Sequence, residues 1–319
     1  MPEDEQVARE ATAPYRLGKL VVVVPAYNEE ESIVGTVEGL RGVGPVLREA
    51  TGLDMSVYVV DDGSSDATRE RAIGAGADRV LRHRTNLGLG AAVRTGLAAA
   101  RNDGAAVAIK FDADLQHDPD DIVALVEPIL ADEADVVYGN RWEAMEYTMP
   151  VVRRAGNVVF TTLMRRLTGW PLKDSQPGIL AVSEAYLRVF FLPGDYNYTQ
   201  QILLDARLKG MRFAHVPVRF QKRTTGASFV SFRYPARVLP QIIMVLVGIR
   251  PMMIFGTVGL LFLLLGGAVF CAELAMYLMG DAPKPVVHVN LVLGSALFGL
   301  QTLFFGLLAQ LIVNTRRRE

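Results

Sequence analysis

The sequence predicts an α/β domain on a mostly parallel sheet, followed by amphipathic interface helices and a two-helix transmembrane hairpin. Three observations predict it. Short, near-continuous apolar runs of strand length alternate with amphipathic helical patterns through residues 19–228, the mark of a parallel sheet covered on both faces. Three of those runs exit into polar, acid-bearing motifs, and such sheets bind ligands beyond the carboxyl ends of their strands. Two long apolar stretches, residues 252–279 and 291–313, close the chain. As helices they would be about 42 and 35 Å long at ~1.5 Å per residue, each exceeding the ~30 Å core of a bilayer. A mean hydropathy of +0.24 is high for a purely soluble enzyme, and the excess sits in these stretches.

Residues 1–18 read as a mobile tail, charged and without periodicity. Leu20-Val21-Val22-Val23-Val24 is a buried strand exiting into Pro25-Ala26-Tyr27-Asn28-Glu29, then a helix with Ile33, Val37 and Leu40 on one face. A second strand over 56–60 exits into Asp61-Asp62-Gly63-Ser64-Ser65-Asp66, where Ser65 or Asp66 can cap a helix. Residues 79–81 form a short third strand, and a helix over 90–100 follows Asn86-Leu87-Gly88-Leu89-Gly90-Ala91-Ala92. Strands are expected over 105–110 and 135–139, helices over 151–167 and 198–208, and a strand over 213–220 that Pro217 confines to an edge or a bend. Residues 229–250 carry Arg233, Arg237 and Arg250 on an apolar or amphipathic pattern and are expected to lie in a membrane interface.

The fourth strand exits into Phe111-Asp112-Ala113-Asp114-Leu115-Gln116-His117-Asp118-Pro119. In extended chain Asp112, Asp114 and Gln116 share one face while Ala113 and Leu115 pack behind. Two carboxylates and an amide oxygen make a hard site, suited to Mg²⁺ or Mn²⁺ rather than zinc. The bland alternative is a set of acids stabilising a helix N-terminus.

The net charge of −1 hides an asymmetry: residues 1–150 carry 27 acids against 14 bases, whereas 201–250 carry nine bases against Asp205 alone. That basic block precedes the first apolar stretch, and Arg316-Arg317-Arg318 follow the second, so both ends and the preceding domain are expected on the cytoplasmic face of the cell membrane. No nucleic-acid module accompanies the basic residues. The single Cys271 excludes a disulfide framework and a thiolate metal site, and the polar N-terminus lacks the apolar core of a secretion signal. Glu273, near the far end of the first span, is expected to be interfacial rather than part of a proton path.

Taken in order, the motifs at 25–29, 61–66, 86–92 and 112–117 resemble the inverting glycosyltransferases of the GT-A fold, in particular the membrane-associated polyprenol-phosphate glycosyltransferases that include dolichol-phosphate mannose synthase. The resemblance runs from about 19 to 228 and extends to the C-terminal hairpin. It implies that Pro25, Tyr27, Glu29, Asp61 and Asp62 line the nucleotide, with Asp112, Ala113 and Asp114 also against the donor. It further implies that Asp112, Asp114 and Gln116 hold Mg²⁺ or Mn²⁺ on the diphosphate. Arg223, in Arg-x-x-Gly-x-Ser through Gly226 and Ser228, would offset charge on the departing nucleotide, which makes Asp114 and Arg223 the implied catalytic pair. Arg141, Arg153 and Asn157 would bind the acceptor phosphate. The implied partners are a nucleotide-diphosphate sugar, a polyprenyl or dolichyl phosphate and the membrane, with a homo-oligomer possible.

Two positions depart from the pattern. Phe229 stands where the family's synthases usually carry lysine, and Asp174-Ser175-Gln176-Pro177-Gly178-Ile179 replaces the Asp-Pro-x-Ser-Gly-Phe of mannose synthases. The donor therefore stays open between GDP-mannose and a UDP-glucose or UDP-GlcNAc type.

Other classes fit less well. A nicotinamide dehydrogenase is disfavoured because the first strand is followed by Pro-Ala-Tyr-Asn-Glu rather than glycines, and a P-loop ATPase because no Gly-Lys-Ser/Thr occurs. A processive polymer synthase would usually add a Gln-x-x-Arg-Trp motif and further spans. A non-catalytic scaffold would be expected to lose its acidic motif. Transfer to another acceptor remains the alternative within the same fold.

Overall fold

A computed structural model describes residues 18–143, 151–192, 195, 198–221, 247 and 251–316, without side-chain detail for 143, 151–156, 159 and 316. Apart from residue 247, the interface helices expected over 229–250 lie outside the described residues, as do Arg223, Gly226 and Ser228. The chain divides into two compact units, residues 1–230 and 231–319.

The first unit is built on a seven-stranded sheet of order β3-β2-β1-β4-β6-β5-β7. Its strands are β1 Gly18–Ala26, β2 Leu53–Asp61, β3 Arg79–Arg82, β4 Ala105–Lys110, β5 Val136–Asn140, β6 Leu180–Ser183 and β7 Phe213–Pro217. β1 pairs in parallel with β2 and β4, β2 with β3, and β5 with β7, whereas β6 runs antiparallel between β4 and β5. The sheet is thus mixed but mostly parallel. β7, with Pro217 as its last residue, is an edge strand, where a missing N–H costs the ladder least.

Burial explains the order. Leu20 and the four valines of β1 have no exposed surface, as expected of a strand flanked on both sides and covered on both faces. On one face lies α1, Ile33–Thr51, whose buried Ile33, Val37, Leu40 and Leu47 follow the helical period. On the other lies α3, Leu89–Asn102, where Gly96 lets the helix approach so closely that a Cβ there would overlap Val23. The remaining helices of this unit are α2 Thr68–Gly74, α4 Asp121–Leu130, α5 Val151–Thr168, α6 Glu184–Val189 and α7 Tyr198–Leu208. Asp66 accepts the Thr68 N–H at 3.1 Å as α2 begins, while Ala67 occupies the cap position itself.

In the second unit, α8 Pro251–Leu278 and α9 Val289–Arg316 pair as a hairpin, each long and apolar enough to cross a bilayer. Gly259 and Gly299 face each other so closely that a Cβ on either would meet the other's carbonyl oxygen, the tight backbone approach that small residues permit between membrane helices. Glu273 turns to the link between the helices: its carboxylate accepts the Val287 N–H at 2.7 Å and meets His288 Nδ1 at 2.5 Å. The carboxylate thus caps the start of α9, where a negative charge is favourable.

Candidate active site

The motifs singled out in the sequence gather at the carboxyl ends of neighbouring strands, since β1, β2 and β4 run parallel and side by side. At the β1 exit, Pro25 pairs in register with Val60, and Tyr27 is exposed. Asn28, at φ 53°, uses its side-chain oxygen to accept the Ser65 N–H, while its own N–H donates to Ser64 Oγ. Glu29 accepts from Ser32 Oγ at 2.8 Å. These bonds lock the β1 exit to the β2 exit.

Asp61 and Asp62 are both buried. Asp61 accepts the Ser64 N–H at 2.8 Å and faces Arg82 Nε at 3.3 Å. Asp62 receives the Leu87 N–H at 2.9 Å, the Gly88 N–H at 2.8 Å and His83 Nδ1 at 2.7 Å. Its carboxylate therefore folds the 83–88 loop, and Gly88 takes φ 99°, a conformation costly for residues with a Cβ. Arg82, His83 and Arg84 line an open depression of about 300 Å³ at the β3 exit. The sequence reading passed over these three residues because β3 carries no acidic motif; the available signal was a basic run ending the strand next to the Asp61-Asp62 pair.

At the β4 exit the chain does not continue extended. The strand ends at Lys110, residues 113–115 form a bend, and Leu115 adopts φ 58°. The alternating-face placement of Asp112, Asp114 and Gln116 is accordingly replaced by a turn in which Asp114 Oδ1 accepts the Gln116 N–H at 3.2 Å. Gln116 Nε2 donates to the Gln221 carbonyl at 3.0 Å, tying the bend to the chain that leads toward Arg223. Ala113 is buried, and its carbonyl accepts from Thr36 Oγ1 of α1.

Asp112 has the most elaborate setting. Lys110, 1% exposed, places Nζ 2.5 Å from Asp112 Oδ1 and 2.8 Å from the Gly178 carbonyl, with the Tyr198 ring centroid at 5.3 Å. Burial opposes the charge on Lys110, yet the Asp112 carboxylate outweighs it and holds the pKa above the usual lysine value. The other oxygen, Oδ2, lies against Gly178 and His117: a Cβ on Gly178 would overlap both Asp112 Oδ2 and His117 Nε2. His117 is buried between Phe111 and Phe220 and makes no aligned hydrogen bond through either ring nitrogen. Burial pushes its pKa down to about 4.

Two half-buried carboxylates and an amide oxygen within five residues, at a strand exit, fit a hard divalent ion by donor chemistry. Among the described residues no cluster of three or more His, Cys, Asp or Glu offers a competing site.

Two of the three residues expected at an acceptor phosphate, Arg141 and Asn157, sit in a buried network. Arg141, 6% exposed in a 3₁₀ turn after β5, sets Nε 2.8 Å from Asp174 Oδ2, a charge contact rather than an aligned hydrogen bond. Its guanidinium carbon lies 5.4 Å from the Phe220 ring centroid. Asn157 Nδ2 donates to Asp174 Oδ1 at 3.1 Å, as does the Gln176 N–H at 2.9 Å. The structure thus brings Arg141 and Asn157 together around one carboxylate; the side chain of Arg153 is outside the described residues.

A mixed, mostly parallel sheet with acid-bearing motifs at the β1, β2 and β4 exits is the architecture of a GT-A glycosyltransferase. Residues 21–191 match the model described as glycosyl transferase family 2, and the chain belongs to that family. It is 30% identical over 221 residues to the UDP-N-acetylglucosamine–dolichyl-phosphate N-acetylglucosaminyltransferase of Methanococcus voltae, which covers 63% of this chain and 84% of that relative. It is 26% identical over 331 residues to the dodecaprenyl-phosphate galacturonate synthase of Rhizobium johnstonii, covering 96% of this chain and 91% of the relative. The fold is shared with glucosyl-3-phosphoglycerate synthase of Mycobacterium tuberculosis, crystallised with Mn²⁺, uridine diphosphate and phosphoglyceric acid, at a TM-score of 0.55 and 24% identity over 76% of this chain and 80% of that one.

Proposed function

We propose that this glycosyltransferase moves a hexose, with inversion, from a nucleotide-diphosphate sugar to a polyprenyl or dolichyl phosphate at the cytoplasmic face of a membrane. The observation that carries the reading is the Asp112-Asp114-Gln116 bend beside the nucleotide motifs of β1 and β2, in a chain that also carries two membrane-length helices. Relatives named for lipid phosphates, one of them matched along 96% of this chain, support the acceptor class. They are named for different sugars, so the donor stays open between GDP-mannose and UDP-glucose or UDP-GlcNAc types.

In this reading Asp112, Asp114 and Gln116 would hold Mg²⁺ or Mn²⁺, which supplies charge neutralisation to the leaving diphosphate. Pro25, Tyr27, Glu29, Asp61, Asp62 and Ala113 position the nucleotide, and Arg223 would offset the charge of the departing diphosphate. Arg141, Arg153 and Asn157 steady the acceptor phosphate, whose oxygen attacks the anomeric carbon in line. A phosphate already ionised near neutral pH needs placement more than proton removal.

The test is a panel of UDP- and GDP-sugars incubated with polyprenyl phosphate and Mg²⁺ or Mn²⁺. One donor should give a lipid-linked sugar monophosphate that disappears with chelator. Transfer to soluble acceptors with none to any polyprenyl phosphate would overturn the reading.

A further inference from the structure

Lys110 bears directly on Asp112, and the proposed function leaves it without a task. Its ammonium is sealed from solvent among oxygen partners, Asp112 Oδ1, the Gly178 carbonyl and the Tyr198 hydroxyl. The opposite oxygen of Asp112 lies close enough to Gly178 that a Cβ there would overlap both it and His117 Nε2, so the carboxylate is flanked on that side as well. A charge held this way acts on any ion approaching Asp112, because a buried site screens it far less than water does.

We propose that Lys110 is a positioning residue and resident cation that makes ion uptake depend on the donor. The proposal rests on the reading of Asp112, Asp114 and Gln116 as ion ligands. With Lys110 in place, the two carboxylates and the ammonium sum to a single negative charge, a weak counterpart to a free divalent ion. A nucleoside diphosphate brings the missing negative charge and further oxygen ligands, so ion and diphosphate are held together and released together. The bond to the Gly178 carbonyl also fastens Asp112 to the 174–178 loop, whose Asp174 organises Arg141 and Asn157.

The experiment is Mn²⁺ binding to the purified full chain in detergent, followed by electron paramagnetic resonance, with and without UDP or GDP. In the wild type, free Mn²⁺ should bind weakly and a nucleoside diphosphate should strengthen binding at least tenfold; tight binding of Mn²⁺ alone would overturn the proposal. Lys110→Met removes the charge, and Lys110→Gln removes it while keeping a donor for Gly178. Either should bind free Mn²⁺ at least tenfold more tightly, a gain that structural damage does not produce, while Lys110→Arg keeps the wild-type ratio. Unchanged or weaker free-ion binding in a folded Met or Gln variant would sink the idea. Asp114→Ala, measured alongside, separates the two readings: if it binds Mn²⁺ and diphosphate like the wild type, the ion site itself is misassigned.

Discussion

Gly178→Ala adds one methyl group where the structure has no room for it. Gly178 is not at positive φ, so the backbone tolerates alanine and the effect is purely steric. The new Cβ would overlap His117 Nε2 and Asp112 Oδ2. The His117 ring is held between Phe111 and Phe220, with centroids at 6.0 and 5.0 Å, and has nowhere to turn. Asp112 or the 174–178 loop must therefore give way. Overpacking of this kind costs roughly 1–3 kcal/mol of stability, and a displacement of about 1 Å at a reacting site costs on the order of a hundredfold in rate. Thermal unfolding and kcat/KM for sugar transfer measure the two effects. Gly42→Ala is the control, because a Cβ there meets nothing within 4 Å and alanine favours the helix. A folded Gly178→Ala enzyme within threefold of wild-type kcat/KM would refute the idea that this cradle sets Asp112.

Asp114→Ala should leave the domain folded while lowering transfer by more than the ~10–100-fold typical of lost outer partners at metal sites; undiminished turnover would remove Asp114 from the ion site. His117 gives a pH signature: between pH 6.5 and about 4 only the unfolded chain takes up its proton, so stability should fall as pH falls through that window. The total is roughly 3 kcal/mol. Lys110 and Arg141 oppose protonation of the ring and Asp112 favours it, and His117→Gln should flatten the curve. Arg141→Met should cost about 3–5 kcal/mol by leaving Asp174 buried without its cation, whereas Arg141→Met with Asp174→Leu should recover part of that without recovering use of lipid phosphate; recovery of both would make Arg141 a strut only. Truncation after residue 250 should impair reaction with long polyprenyl phosphate more than donor hydrolysis, and equal losses in both would argue against an acceptor held in the membrane.

The β1 valines, the α1 face and the two long apolar helices were legible because burial imposes a period that survives in the sequence. The sheet order was not, since β6 enters between β4 and β5 from much later in the chain and nothing local marks its antiparallel sense. The acidic motif was legible as chemistry but not as shape. Leucine disfavours the left-handed conformation that Leu115 adopts, so an extended reading was the natural one. Arg141 and Asn157 entered only through the family resemblance, which matches positions without giving their contacts. That both converge on Asp174 is a tertiary fact, because the three come from a strand exit, a helix and a loop. Lys110 was hidden as the last residue of an apolar run, where a lysine reads as the strand meeting solvent.

The charges at the strand exits bear on the kind of acceptor the site can use. Asp61 is bound by a backbone N–H and Arg82, Asp62 by two backbone N–H groups and His83, Asp112 by Lys110, and Asp174 by Arg141, Asn157 and a backbone N–H. Glu29 and Asp114 are likewise partnered. These carboxylates are already engaged by donors and cations of the protein itself, and His117, buried with its pKa pushed down to about 4, is a poorer proton acceptor than an ordinary imidazole. An alcohol acceptor would need one of these groups to take its proton as the sugar transfers. An ionised phosphate needs none, and what it does need is cationic and amide donors held in place. Carboxylates whose oxygens are already occupied by the protein's own donors thus agree with the proposed acceptor, which brings its own negative charge.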